Sequence, residues 1–111
     1  MLLDSTIRIV GEAATGESAH ALALALWPHV VLLDLNLPDA SGLDLCRTLT
    51  RSNIGVVMFS LDDSDPTQLA CLEAGASSFV SKGAPWRLLT KSLHEARGIS
   101  SDSESRSQAA R

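Results

Sequence analysis

The sequence predicts a single α/β domain built on a parallel β-sheet with helices on both faces. Three observations carry this. Two runs, Val30-Val31-Leu32-Leu33 and Val56-Val57-Met58-Phe59, are apolar at every position, as expected of parallel strands covered on both sides. Stretches with helical spacing of apolar residues alternate with these runs, which is the pattern of βαβ units with right-handed crossovers. The chain has 111 residues, 45% of them hydrophobic. That is too short for two folded domains, yet one core can hold it without disulfides or a structural metal.

Each element follows in order. Ile7-Arg8-Ile9-Val10 reads as a short strand that stops at Gly11-Glu12. Glu17 to Trp27 reads as a helix, with Ala19, Leu22, Ala23 and Leu26 at i, i+3, i+4 and i+7, and Pro28 ends it. Val30 to Leu33 reads as a central strand that terminates in Asp34. After the loop Leu35 to Ser41, a helix from about Gly42 to Arg51 turns Leu45, Cys46 and Leu49 inward, and the strand Val56 to Phe59 closes at Ser60. A third helix runs from about Asp65 to Ala74, with Gly75 just beyond its end. The short strand Ser78-Phe79-Val80 leads to Lys82, and Pro85 starts a last helix with Trp86, Leu89, Leu93 and Ala96 on one face. Residues 1–97 form the domain. Residues 98–111, serine-rich, polar and aperiodic, read as a flexible tail or linker.

Composition excludes several functions. A net charge of −4 argues against direct nucleic-acid contact or an anionic membrane surface. No run approaches the ~20 apolar residues that span a bilayer, and Met1-Leu2-Leu3-Asp4 lacks the pattern of a secretory signal, so a cytoplasmic location is expected. Cys46 and Cys71 fall in apolar helical stretches without a second Cys or His at ligand spacing, and read as buried thiols. His20, His29 and His94 show no metal-binding spacing. Gly11 and Gly16 belong to no phosphate-cradling motif, and Trp27 and Trp86 read as packing at helix ends.

In a sheet of this kind ligands gather beyond the carboxyl ends of the strands. Asp34, Ser60 and Lys82 end three strands or stand just past them, so they should converge. A carboxylate emerging from a buried strand beside an ammonium and a hydroxyl suits an acceptor of a phosphoryl group. Attack by the carboxylate forms an acyl phosphate, whose oxygens need a cation and donors.

The segment Val30-Val31-Leu32-Leu33-Asp34-Leu35-Asn36-Leu37-Pro38-Asp39-Ala40-Ser41-Gly42-Leu43 resembles the phosphoacceptor segment of response-regulator receiver domains. Gly11-Glu12-Ala13 with Gly16-Glu17 is similar to the second strand and loop of the subgroup that carries a helix-turn-helix effector. Glu73-Ala74-Gly75-Ala76, Phe79 and Lys82 are similar to the family's fourth helix end and fifth strand. The resemblance covers about residues 7–97 and implies a flavodoxin-like, doubly wound parallel sheet and a role in two-component signalling. In that picture Asp34 takes phosphate from a histidine kinase, and Ser60 and Lys82 hold the phosphoryl oxygens. Phe79 reorients with Ser60 on activation, and Asp34 together with the Asn36 carbonyl faces Mg²⁺. The tail resembles a linker to a DNA-binding domain in a longer transcription regulator.

The sequence departs from the family pattern at its front. About 20 residues of the pattern, the first strand and most of the first helix, have no counterpart. The acidic pair that would hold Mg²⁺ beside Asp34 goes with them, so Mg²⁺ binding is expected to be weak or lost. Asp62 and Asp63 follow Ser60 at the same rim, but read as favouring the start of the next helix. Asp4 is too far away, and Asp39 and Asp44 read as a loop residue and a solvated helix residue. The family's strand order puts the absent strand between Ile7–Val10 and Val30–Asp34. Open edges there predict a homodimer, a strand-swapped oligomer, a rearranged sheet or poor solubility. Two rival readings remain: a pseudo-receiver that acts as a dimerisation or interaction module without phosphate chemistry, and a small flavodoxin-like enzyme, which no phosphate-cradling loop supports.

Overall fold

The computed structural model describes residues 7–100. Its elements are α1 (Gly16–Leu26), β1 (Val30–Asp34), α2 (Gly42–Arg51), β2 (Gly55–Ser60), α3 (Asp65–Glu73), β3 (Ser78–Ser81) and α4 (Trp86–Ser100). Local chemistry sets their limits. Thr15 and Ser18 form a capping box at α1: the Thr15 hydroxyl accepts from the Ser18 N–H at 3.1 Å, and Ser18 Oγ accepts from the Thr15 N–H at 3.3 Å. Trp27 ends that helix in the left-handed region at φ 48°, just before Pro28. The Ser41 hydroxyl caps α2, and Gly75, at φ 104°, lies past α3 where a side chain would be strained.

The three strands form one parallel sheet in the order β1-β2-β3. Asp34 pairs with Phe59, and Ser60 with Ser81, so the carboxyl ends of all three strands meet at one rim. Alternation divides the side chains between two layers. Leu33, Val56 and Met58 pack with Ala23 of α1, Leu45, Cys46 and Leu49 of α2 and Cys71 of α3. Val57 and Val80 face the other way, onto Leu89 and Ala96 of α4. Helices therefore cover both faces. Complete burial of Leu49, Val56, Val57 and Met58 stabilises the fold by roughly 1.5–3 kcal/mol for each side chain.

Three expectations need correction. Ile7–Val10 is not a strand: none of these residues takes part in the sheet, and the main chain here makes no ladder with β1. Strand geometry depends on a neighbour to receive its N–H and C=O groups, and the apolar pattern does not supply one. For the same reason β1 is not central. It is the edge of the sheet, with Leu32 at 40% exposure despite the apolar run around it. The last helix also continues through Gly98 to Ser100, beyond the point where the polar tail is expected to begin. The rest of that tail, and Asp4, lie outside the described residues.

Candidate functional site

β1 carries Asp34 to the rim, where both carboxylate oxygens are engaged. Oδ1 accepts the Asn36 N–H at 2.9 Å, and Oδ2 accepts from Lys82 Nζ at 2.6 Å. About a third of each side chain of the ion pair is exposed, at 36% for Asp34 and 32% for Lys82. Burial pushes the Asp34 carboxyl up, but the Lys82 hydrogen bond, the Asn36 N–H and the Lys82 charge together outweigh this and hold it below the usual carboxylate value. Lys82 is placed by the end of β3, where its N–H donates to the Ser60 carbonyl at 2.9 Å. Its ammonium lies 5.6 Å from the centroid of the Phe59 ring, close enough for a cation–π contact. Phe59 was missed in the sequence; the signal available was its place one residue before Ser60.

Ser60 is buried, and its hydroxyl accepts the Asp62 N–H at 3.2 Å. It reaches the pair through the Lys82 main chain, and among the described residues its hydroxyl makes no hydrogen bond to Asp34. Phe79 is half-buried against the layer formed with α2 and α3, on the sheet face that alternation also gives Ser60. Asn36 is exposed and forms an isolated antiparallel bridge with Ser41, while the Gly42 N–H donates to the Leu35 carbonyl at 3.0 Å. These bonds fold the loop tightly over the start of α2. A Cβ on Gly42 would stand 2.6 Å from the Asp34 carbonyl oxygen.

Asp39, Asp44 and Asp62 are engaged elsewhere. Asp39 is more than a loop residue: its carboxylate accepts the Gly16 N–H at 2.7 Å and the Glu17 N–H at 3.1 Å, tying the loop after β1 to the positive end of α1. These two bonds hold its carboxyl below the usual value. Asp62 accepts from the Thr67 hydroxyl at 2.7 Å and the Ser64 N–H at 3.1 Å, in keeping with a role at the start of α3. Asp44 pairs on the surface with Arg47 at 2.8 Å. Among the described residues no three Asp, Glu, His or Cys side chains come together as a metal cluster. One carboxylate, with an N–H on one oxygen and an ammonium on the other, is a poor donor set for a cation that requires several oxygen ligands. These residues do not fit a tight Mg²⁺ site.

Cys46 and Cys71 are free and buried as expected; burial pushes the Cys46 thiol up to about 11 and raises that of Cys71 as well. No helix of the described residues is long and apolar enough to cross a membrane.

A parallel sheet whose first strand ends in an aspartate, paired with a lysine just past the last strand, is the arrangement expected of a receiver domain. The family model for the response regulator receiver domain matches residues 1–94, and the chain belongs to this family of two-component signalling domains. Among its relatives are the response regulator GacA of Pseudomonas protegens, 39% identical over 80 residues, with 70% of this chain and 38% of GacA covered, and the nitrate/nitrite response regulator NarL of Escherichia coli, 35% identical over 92 residues, with 81% and 43% covered. Both agree with the subgroup that the front of the sequence resembles. The chain spans less than half the length of these relatives. Among solved structures, the signal receiver domain of NarL from Mycobacterium tuberculosis is similar with a TM-score of 0.75 at 26% identity, covering 82% of this chain and 75% of that one. The BeF3-activated receiver domain of Klebsiella pneumoniae RstA is similar with a TM-score of 0.71 at 32% identity, covering 77% and 74%. Receiver domains interact with histidine kinases and generally bind Mg²⁺.

Proposed function

We propose that this chain is a phosphoacceptor switch, in which Asp34 takes a phosphoryl group from a phosphohistidine of a histidine kinase. The observation that carries the reading is the 2.6 Å contact between Lys82 Nζ and Asp34 Oδ2 at the meeting point of three strand ends. A carboxylate oxygen attacks phosphorus, the O–P bond forms as the P–N bond breaks, and the electron pair leaves on the imidazole, which takes a proton. A carboxyl held below its usual value is fully ionised at neutral pH and ready to attack. Lys82 stands where the phosphoryl charge would develop, and Ser60 lies on the neighbouring strand with a hydroxyl to offer. Ser60 and Phe79 share a sheet face, which suits a coupled movement of the two after phosphorylation. That movement would alter the surface presented to a partner, and in a longer regulator it would control transcription through a separate DNA-binding domain. Mg²⁺ binding would be weak or lost, because among the described residues no three acidic, His or Cys side chains gather to hold a metal ion.

The test is mass spectrometry after incubation with acetyl phosphate, with and without Mg²⁺, on the wild type and Asp34→Asn. One phosphoryl adduct on the peptide containing Asp34, absent from the variant, is the expected result. Equal labelling of the variant would remove Asp34 as the acceptor. The shortage of acids at the rim favours one second reading, a pseudo-receiver that docks or dimerises without phosphate; no adduct with or without Mg²⁺ is its signature.

A further inference from the structure

The loop 35–41 carries the N–H that meets the Asp34 carboxylate, and it is anchored at both ends of its fold. At its base the Asn36–Ser41 bridge and the 3.0 Å bond from the Gly42 N–H to the Leu35 carbonyl close it over α2. Beside that base the Asn36 N–H rests on Asp34 Oδ1 at 2.9 Å. At the tip the Asp39 carboxylate takes the Gly16 N–H on Oδ1 at 2.7 Å and the Glu17 N–H on Oδ2 at 3.1 Å. Yet α1 already has a cap of its own. The first turn of a helix leaves N–H groups without partners; here the Thr15 hydroxyl takes that of Ser18 and the Thr15 carbonyl that of Ala19. What the two bonds of Asp39 add is the docking of a distant loop. The apolar atoms fit as closely: a Cβ on the buried Gly16 would stand 3.0 Å from Ala40 Cβ and 3.4 Å from Leu37 Cδ1, so the loop lies directly on the helix.

We propose that Asp39 is a positioning residue for the phosphoacceptor: by docking the loop on α1 it holds the Asn36 N–H on Asp34 Oδ1, which fixes the plane of the carboxylate and keeps Oδ2 turned to Lys82. With both of its own oxygens turned to α1, Asp39 acts on Asp34 through the main chain and not by contact with the reacting atoms. A carboxylate has one soft torsion between its oxygens and the strand that carries it. One donor on each oxygen stops that rotation, and of the two donors Lys82 is the one that must move to an arriving phosphoryl group. The Asn36 N–H is then what keeps the nucleophile aligned, and small misplacements of reacting groups are costly in rate. This inference rests on the reading of Asp34 as phosphoacceptor and names the group that orients it.

The experiment follows the rate of labelling by acetyl phosphate with mass spectrometry, and hydrogen exchange of the Asn36 amide with NMR, on the whole chain as wild type, Asp39→Ala, Asp39→Asn and Thr15→Ala. Asp39→Ala is expected to slow labelling and to speed Asn36 exchange, each by about fivefold or more. Asp39→Asn keeps one acceptor oxygen and is expected to recover part of both. Thr15→Ala weakens the start of α1 but leaves the loop contact in place, so both readouts should stay within about twofold of wild type. Unchanged Asn36 exchange in Asp39→Ala, unchanged labelling in that variant beside a labelled wild type, or equal effects in Thr15→Ala would each overturn the proposal. A wild type that takes no phosphoryl group would remove the phosphoacceptor reading instead; Asn36 exchange then decides alone whether Asp39 orients the Asp34 carboxylate, faster exchange in Asp39→Ala supporting it and unchanged exchange overturning it.

Discussion

Replacing Gly42 by alanine is the sharpest check on how Asp34 is held. At an unstrained position such a change stabilises a protein by about 0.4–1 kcal/mol through the unfolded chain. Here the sign should reverse. The added Cβ meets the Asp34 carbonyl oxygen at 2.6 Å, the Leu35 carbonyl oxygen at 2.7 Å and Leu35 Cα at 2.8 Å, all of them main chain. No flexible side chain can yield, so the loop must move off α2 and stretch the 3.0 Å bond from the Gly42 N–H to Leu35. Overpacking costs about 1–3 kcal/mol, and loss of the hydrogen bond adds about 1 kcal/mol. After the entropic gain is subtracted, a net destabilisation of about 1–3 kcal/mol remains. For a domain of this size each 1 kcal/mol lowers Tm by about 4–8 °C.

The assay is thermal and urea unfolding of Gly42→Ala beside Gly83→Ala. A Cβ on Gly83 meets nothing nearer than Ser81 Oγ at 3.8 Å, so that variant should stay within about 0.5 kcal/mol of wild type. Since the displaced atoms include the main chain of Asp34 itself, phosphoryl labelling should fall with stability in Gly42→Ala and not in Gly83→Ala. A Gly42→Ala midpoint at or above that of wild type would refute the packing of this loop.

Other outcomes follow from the same geometry. The Asp34 carboxyl is held low in the folded state, so its contribution is present above the ordinary carboxylate value and is lost as pH falls through the folded one; the urea-midpoint gap between wild type and Asp34→Asn should therefore close in acid, and a gap unchanged down to pH 3 would contradict the ion pair. With Cys46 pushed up to about 11 and Cys71 raised and buried, both thiols should resist a disulfide reagent at pH 8 until urea unfolds the chain; rapid reaction of the folded protein would contradict their burial. Asp39→Ala should speed amide exchange at Gly16 and Glu17 ahead of the rest of α1, whereas unchanged exchange there would show that the carboxylate does not hold the helix start. Leu49→Ala, at a fully buried position, should cost about 2–5 kcal/mol, and a loss below 1 kcal/mol would mean that the α2 layer is loosely packed.

The elements that could be read from the sequence have their determinants close by. α2 was legible to its end residues because Ser41 caps it and Leu45, Cys46 and Leu49 repeat at helical spacing, all of them buried in the structure. β2 was legible because a run apolar at every position needs cover on both faces, and β2 has it: Val56 and Met58 pack in the layer of α2 and α3, and Val57 packs against α4. The same pattern misled at β1 and at Ile7–Val10. Apolar character records what a strand is built to pack against, while strand geometry and burial depend on whether that neighbour is there. Asp39 was read only as a loop residue, and its capping role escaped notice for a related reason. Its partners, Gly16 and Glu17, lie more than twenty residues away in sequence, and no local motif marks a carboxylate that caps another element's helix.

The site withstands the open edge because of where its parts are carried. Asp34 ends β1, Phe59 and Ser60 end β2, and Lys82 follows β3; these three strands are adjacent, and parallel pairing alone brings their ends together. The Lys82–Asp34 contact therefore depends only on strands that pair with one another. On the other side of Asp34 no strand pairs with β1 among the described residues, and the oxygens of Asp34 already carry an N–H and an ammonium. A lysine can neutralise one negative charge of an arriving phosphoryl group, and it must leave the carboxylate to do so. The half of the site that stabilises charge is thus set by β1, β2 and β3 alone.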